Sequence, residues 1–175
     1  LRDAARKFFP NGADTPDFTS IVNAKHHARL QSYLDEARAR KLEVLPLLEG
    51  GSGNKLAPVL VLEPPDDIAL MRDEIFGPIL PVKTYGSLQE AIGYVNSHPR
   101  PLTLYLFTRD SGVQERVLKG TISGGVCVND TLVHVADDNI PFGGVGASGM
   151  GAYHGREGFE TFSKMKPVFE RTGPS

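Results

Sequence analysis

Between Ile79 and Val128 the chain alternates two hydrophobic periods, and that alternation restricts its fold more than any other feature. Ile79 to Tyr85 reads as a strand. Ser87-Leu88-Gln89-Glu90 follows as a capping box, in which a hydroxyl and a carboxylate three residues apart satisfy the first free N–H groups of a helix. Leu88, Ala91, Ile92 and Val95 then recur at i, i+3, i+4 and i+7, the stripe of a helix with one covered face. Leu102 to Phe107 is a second strand, and Ser111-Gly112-Val113-Gln114 repeats the capping pattern. Val113, Val117 and Leu118 are expected to face inward, with Gly120 as a C-terminal cap. Gly125-Val126-Cys127-Val128 is a third strand. Strands and helices joined this tightly predict an α/β fold, a largely parallel sheet flanked by helices. Such sheets hold ligands beyond the carboxyl ends of their strands, which directs attention to the residues after Val128.

The upstream half is read the same way. Leu1 to Pro10 looks like a helix already under way, stopped by Pro10 and Gly12, so a longer protein is expected to have been cut here. Asn11 to Ser20 is a surface loop. From Asn23 to about Lys41 a helix is expected, with His26, Leu30, Tyr33, Leu34 and Ala37 on one stripe. Val44-Leu45 and Leu47-Leu48 flank Pro46, which allows an edge strand at best. Gly50-Gly51-Ser52-Gly53-Asn54 lacks the Lys-Ser/Thr ending of a phosphate cradle and reads as a flexible loop. Val59 to Leu62 is a short buried strand.

Composition narrows the function. With 175 residues, 40% hydrophobic and 23% charged, the chain is an ordinary globular protein with room for a core. A net charge of −2 offers no basic excess for nucleic acid, so none is expected as a partner. No apolar run nears the roughly 20 residues of a membrane span. A single cysteine excludes an internal disulfide, and the expected location is the cytoplasm.

Met71-Arg72-Asp73-Glu74-Ile75-Phe76-Gly77-Pro78 is the stretch richest in chemistry. Gly and Pro should make it a rigid corner, with a carboxylate and an aromatic two residues apart. A carboxylate so held can accept two hydrogen bonds from neighbouring hydroxyls, and the aromatic can lie against a flat ring, as a nucleotide cofactor would require. A helix-terminal turn with a core Phe76 and a solvated Glu74 satisfies the same residues.

The other candidates are weaker. Gly144 to Gly149 spells G-x-G-x-x-G, but no strand precedes it and no helix opens within it, so a glycine-rich turn over a pocket is expected. Cys127 between two valines reads as a small core hydrophobe. His134, Asp137 and Asp138 share a loop but lack the second histidine of a metal site, and no metal is expected. Phe159 and Phe162 are expected to face inward from a short helix, before a strand at Pro167-Val168-Phe169.

Taken in order, Glu74-Ile75-Phe76-Gly77-Pro78, then Ser123-Gly124-Gly125-Val126 with Asn129, then Pro141-Phe142-Gly143-Gly144 with Ser148-Gly149, resemble the C-terminal part of an NAD(P)-dependent aldehyde dehydrogenase. The resemblance runs over nearly the whole chain. Ser148 to Gly155 is similar to the class 3 branch, dimeric enzymes acting on aromatic or fatty aldehydes. Thr19 to Asn23 and the Pro167-Val168-Phe169 ending are similar to bacterial coniferyl aldehyde dehydrogenases.

The resemblance implies a catalytic cycle. A thiolate attacks the aldehyde, the thiohemiacetal passes hydride to the nicotinamide, and water activated by a glutamate hydrolyses the thioester. It assigns Glu74 to the nicotinamide ribose hydroxyls, Phe76 to packing near that ring and Phe142 to the substrate tunnel, with residues 131–139 at the tunnel's mouth and Asn129 structural. It implies NAD or NADP as cofactor, an aldehyde as substrate and a homodimeric parent. The nucleophilic cysteine, the general-base glutamate and the Rossmann-like cofactor domain are all expected upstream of Leu1. Residues 1–175 would then be most of a catalytic domain, inactive alone. A self-associating module, built on an exposed apolar surface and the last strand, is the alternative from another class. A stand-alone nucleotide-binding domain ranks third.

Overall fold

Leu30, Tyr33, Leu34 and Ala37 lie on one stripe of a sixteen-residue helix, Ala24–Ala39 (α2), and all four are buried. Asn23 caps it by accepting a hydrogen bond from the His26 N–H, so the helix begins where an Asx cap and an apolar period coincide. A computed structural model describes residues 1–173, and α2 organises the first of two units, Leu1–Thr84. Before it come Arg2–Phe8 (α1) and the expected loop.

After α2, Val44–Pro46 (β1), Val59–Leu62 (β2) and Ile79–Val82 (β3) form a three-stranded sheet in the order β1-β2-β3. β1 runs antiparallel to β2, while β2 and β3 pair in parallel, Val59 opposite Ile79 through Leu62 opposite Val82. Pro46 and Pro81 both sit on outer strands of this sheet, where a missing N–H costs no ladder bond. Val59 and Val61 join Ile79 and the α2 stripe in one core, closed by Ile68 and Leu70. Leu70 belongs to a single helical turn, Ala69–Arg72 (α3), whose Ala69 N–H donates to the Glu36 carboxylate of α2.

The Gly50 to Gly53 loop is a nest with its own occupant. The Asp14 carboxylate accepts hydrogen bonds from the N–H groups of Gly51 (3.1 Å) and Ser52 (2.7 Å) and from the Ser52 hydroxyl (2.7 Å). Donors that could cradle a phosphate are thus spent on a side chain of the same chain.

The second unit begins at Tyr85. Leu88–Asn96 (α4) starts at Ser87, whose hydroxyl accepts from the Glu90 N–H, while the Glu90 carboxylate reaches back to the N–H of Gly86. Thr103–Leu106 (β4) and Gly125–Val128 (β5) pair in parallel, with Ser111–Gly120 (α5) between them. Among the described residues two of the three strand pairings are therefore parallel, in keeping with the α/β reading, and the strands fall into two separate sheets.

Local details depart from expectation. The cap of α5 is Asp110, which accepts from the N–H groups of Gly112 and Val113, because a carboxylate one residue earlier outcompetes the Ser111 hydroxyl. Leu118 is exposed although Val117 is buried. Gly120 is not a left-handed cap: it ends α5 where a Cβ would press on the Ile92 side chain of α4. Phe159 and Phe162, on and after Gly155–Thr161 (α7), are 75% and 90% exposed, not inward-facing. Pro167-Val168-Phe169 forms no strand. Each of these misplaced faces needs a covering element, and periodicity alone cannot supply one.

Candidate functional site

Two hollows contain the residues singled out by the sequence, one in each unit. In the first unit, Glu74 and Phe76 line an opening of about 490 Å³ together with His26, Arg29, Tyr33 and Asp73. The corner that presents them is built against α2. Gly77 rests on Leu30 so closely that a Cβ would lie 2.7 Å from Leu30 Cδ2 and 3.1 Å from Cγ. Glycine is needed here for space and not for its dihedral freedom. The left-handed backbone belongs to Phe76, with φ 44°, a region that costs a residue with a Cβ about 1–2 kcal/mol. Its ring is 67% exposed, so burial does not compensate that strain. Pro78 ends the corner, its carbonyl accepting from the Val59 N–H at 2.9 Å as the β2–β3 ladder begins.

Arg29 crosses from α2 to the back of the corner. Its Nη1 donates to the Glu74 carbonyl (2.9 Å) and to the Tyr33 hydroxyl (2.8 Å), and its Nη2 to the Ile75 carbonyl (2.7 Å). Nη2 also lies 3.3 Å from His26 Nδ1, and the guanidinium carbon stands 5.2 Å from the centre of the Tyr33 ring. Tyr33 in turn donates to the Asp73 carboxylate at 2.8 Å. The Glu74 carboxylate is exposed and meets no hydrogen-bond partner among the described residues. A free carboxylate beside an open aromatic face can accept hydrogen bonds from a pair of sugar hydroxyls while a flat ring borne on that sugar lies against the aromatic, an arrangement that a ribose bearing a nicotinamide would suit.

In the second unit Phe142 lines a hollow of about 350 Å³ with Leu102, Gly144, Ser148, Tyr153 and neighbouring residues. Phe142 and Tyr153 exchange both backbone hydrogen bonds at 2.9 Å, and their rings meet edge to face at 5.6 Å. His134 and His154 complete the aromatic surround, 5.6 and 6.3 Å from the Phe142 ring. His134 sits on Val133–Ala136 (α6), within the loop expected at residues 131–139, and each of these histidines has a buried Nδ1 without a partner among the described residues. The glycine cluster folds onto its own backbone. A Cβ at Gly144 would strike the Ser148 carbonyl, one at Gly143 the Gly151 carbonyl, and Ser148 Oγ accepts the Val145 N–H at 2.9 Å. Helix α7 opens only at Gly155, beyond the G-x-G-x-x-G letters, so this is the expected turn.

Asn129, with φ 60°, binds the main chain of Thr108 twice, accepting its N–H and donating to its carbonyl at 2.8 Å each. Cys127 is a buried free thiol in β5. Asn139 occupies the Asp137 carboxylate, donating from both its main chain and its side chain, which holds that group below its ordinary value. No group of three or more His, Cys, Asp or Glu among the described residues could hold a metal ion. Arg29, Tyr33 and Asp73 were not legible as site residues. The spacing His26, Arg29, Tyr33, at i, i+3 and i+7 along the border of the apolar stripe, is the signal that could have found the first two.

Comparisons with known proteins agree across both units. A model of the "Aldehyde dehydrogenase family" matches residues 2–168. A "Probable coniferyl aldehyde dehydrogenase" of Pseudomonas aeruginosa is 52% identical over 170 residues, 97% of this chain and 36% of that protein. The solved "Substrate bound state of Staphylococcus Aureus AldH" superposes with a TM-score of 0.83 at 40% identity, covering 99% of this chain and 39% of that one. A betaine aldehyde dehydrogenase from Staphylococcus aureus in complex with NAD+ gives a TM-score of 0.74 at 25% identity, over 85% of this chain and 30% of that one. The chain thus spans little more than a third of the length of the relatives it matches. No helix among the described residues is long and apolar enough to cross a membrane.

Proposed function

The chain belongs to the aldehyde dehydrogenase family, and on that premise we propose that it supplies the nicotinamide-ribose and substrate-tunnel residues of an enzyme that oxidises an aldehyde to a carboxylic acid with NAD or NADP. The observation that carries this reading is the unpartnered Glu74 carboxylate beside the open ring of Phe76, on a backbone held in an otherwise unfavourable conformation. Glu74 accepts the two ribose hydroxyls, and Phe76 packs beside the nicotinamide. When bound, the cofactor takes up the hydride that leaves the aldehyde carbon. Phe142, backed by Tyr153, gives the substrate an apolar wall to pack its side chain against.

The nucleophilic cysteine and the general-base glutamate come from outside these 175 residues, as does the Rossmann-like domain. Cys127 is no substitute, since its thiol is buried between the valines of β5. The residues described are accordingly most of a catalytic domain. The name of the Pseudomonas relative and the aromatic lining around Phe142 favour an aromatic aldehyde such as coniferyl aldehyde, with fatty aldehydes next. We extend this reading to a cytoplasmic, homodimeric parent.

The test is NAD(P)H formation from coniferyl aldehyde, followed at the nicotinamide absorbance. The full-length protein should turn over and this chain alone should not; turnover by the chain alone would defeat the assignment of the nucleophile. Exposed Phe159, Phe162, Met165, Val168 and Phe169 favour a second reading, in which this segment serves self-association. Light scattering after gel filtration decides it, a strictly monomeric chain at high concentration counting against it.

A further inference from the structure

Resting on the reading of Glu74 as the ribose acceptor, we propose that Arg29 is a positioning residue for that carboxylate, acting through the main chain and touching neither cofactor nor aldehyde. Its two terminal nitrogens donate to the consecutive carbonyls of Glu74 and Ile75, at 2.9 and 2.7 Å. Those carbonyls belong to the two peptide planes immediately before the left-handed Phe76, so orienting both planes sets the direction of residues 74 to 76. Charge-assisted hydrogen bonds of this kind are roughly twice as strong as neutral ones, which suits them to hold a corner with a left-handed residue.

Arg29 is itself prevented from pairing with the carboxylate it serves. The Tyr33 hydroxyl accepts from Nη1 and hands its own proton to Asp73, and the ring of Tyr33 lies beneath the guanidinium. An arginine that reaches the main chain of a glutamate could instead form an ion pair with its carboxylate. Here the fork is turned onto the carbonyls, and Glu74 keeps its acceptor oxygens open. A lysine ammonium carries three donors on a single nitrogen and lacks the planar fork whose two nitrogens here reach consecutive carbonyls and the Tyr33 hydroxyl.

The experiment uses the full-length enzyme and the variants Glu74→Gln, Arg29→Met, Arg29→Lys and the double variant Arg29→Met/Glu74→Gln. NAD+ affinity is measured by calorimetry without aldehyde, then KM for each substrate and the deuterium isotope effect with aldehyde labelled at the carbonyl carbon. Glu74→Gln and Arg29→Met should each weaken NAD+ about tenfold, the scale of one lost charged hydrogen bond, and Arg29→Lys about threefold. The aldehyde KM should stay within about twofold, and the isotope effect should rise because a misdirected ring slows hydride transfer. Since Arg29 acts through Glu74, the double variant should be at most about twofold weaker than Glu74→Gln alone. Additive losses, or an aldehyde KM that rises in step with NAD+ affinity loss, would overturn the inference. Weakening by Glu74→Gln with no effect of folded Arg29 variants overturns it too, leaving the reading of Glu74 intact. No effect of Glu74→Gln overturns both. If Arg29→Met does not fold, Arg29→Lys and the further double variant Arg29→Lys/Glu74→Gln carry the same comparison.

Discussion

Replacing Gly77 by alanine tests whether the corner is seated by packing on α2. The added methyl would lie 2.7 Å from Leu30 Cδ2 and 3.1 Å from Cγ, well inside normal carbon contact. Leu30 has no exposed surface and is enclosed by the core that includes Tyr33, Leu34 and Ile79, so its methyls cannot swing away. Overpacking of this sort costs about 1–3 kcal/mol. Against it stands a gain of about 0.4–1 kcal/mol, because alanine narrows the unfolded ensemble and Gly77 does not need a left-handed φ. The net expectation is a loss of about 1–2 kcal/mol, the difference of those two effects. Urea unfolding followed by circular dichroism should show the midpoint falling by about 1 M, given a slope near 1–2 kcal/mol per molar. Leu30→Ala alone should cost about 2–5 kcal/mol. In the Gly77→Ala/Leu30→Ala double variant the cavity receives the new methyl, so the combined loss should fall short of the sum by about 1–2 kcal/mol. A Gly77→Ala protein as stable as its parent, or two losses that simply add, would refute the packing argument.

Other expectations concern single contacts. Hydrogen bonds from the Ser52 hydroxyl, then from the Ser52 and Gly51 N–H groups, hold the Asp14 carboxyl below its ordinary value. Its folded pKa is thus lower than its unfolded one, so its stabilisation is complete above about pH 4 and lost as pH falls through the folded value. The protection of the Gly51 and Ser52 amides, taken relative to their intrinsic exchange rates at each pH, should therefore fall below pH 4, and Asp14→Asn should flatten that response; an unchanged profile in the variant would contradict it. Ser87→Ala removes the α4 cap and should cost about 1 kcal/mol by urea unfolding, with Ser87→Asp restoring most of it. Asn129→Ala loses both hydrogen bonds to Thr108 while keeping a left-handed residue, and should destabilise the chain by about 1–3 kcal/mol in the same assay.

Features that depend on near neighbours in the chain were readable beforehand. The α2 stripe, the Ser87 cap, the edge strand at Pro46, the strands at Val59 and Gly125 and a strand within Leu102 to Phe107, which the structure trims to Thr103–Leu106, all follow from spacing and turn chemistry. Glu74, Phe76 and Phe142 were singled out as residues, and the structure brings the first two to one hollow and sets Phe142 in another. Readings that needed a distant partner fared worse. Leu118, Phe159 and Phe162 have inward-facing periods but no covering element, and the Gly50 loop has an occupant, Asp14, some 38 positions from Ser52.

The amino-acid order by itself determined the strand and helix alternation, the Ser87 cap and the choice of Glu74, Phe76 and Phe142 as candidates, because backbone propensity and hydrophobic period act over a few residues. Only the tertiary structure decided that the corner's strain falls on Phe76, that Gly77 is there to admit Leu30, and that Arg29 turns to two carbonyls and leaves Glu74 free. Those outcomes depend on contacts across 40 or more positions, where geometry in space, and no local rule, sets which group meets which.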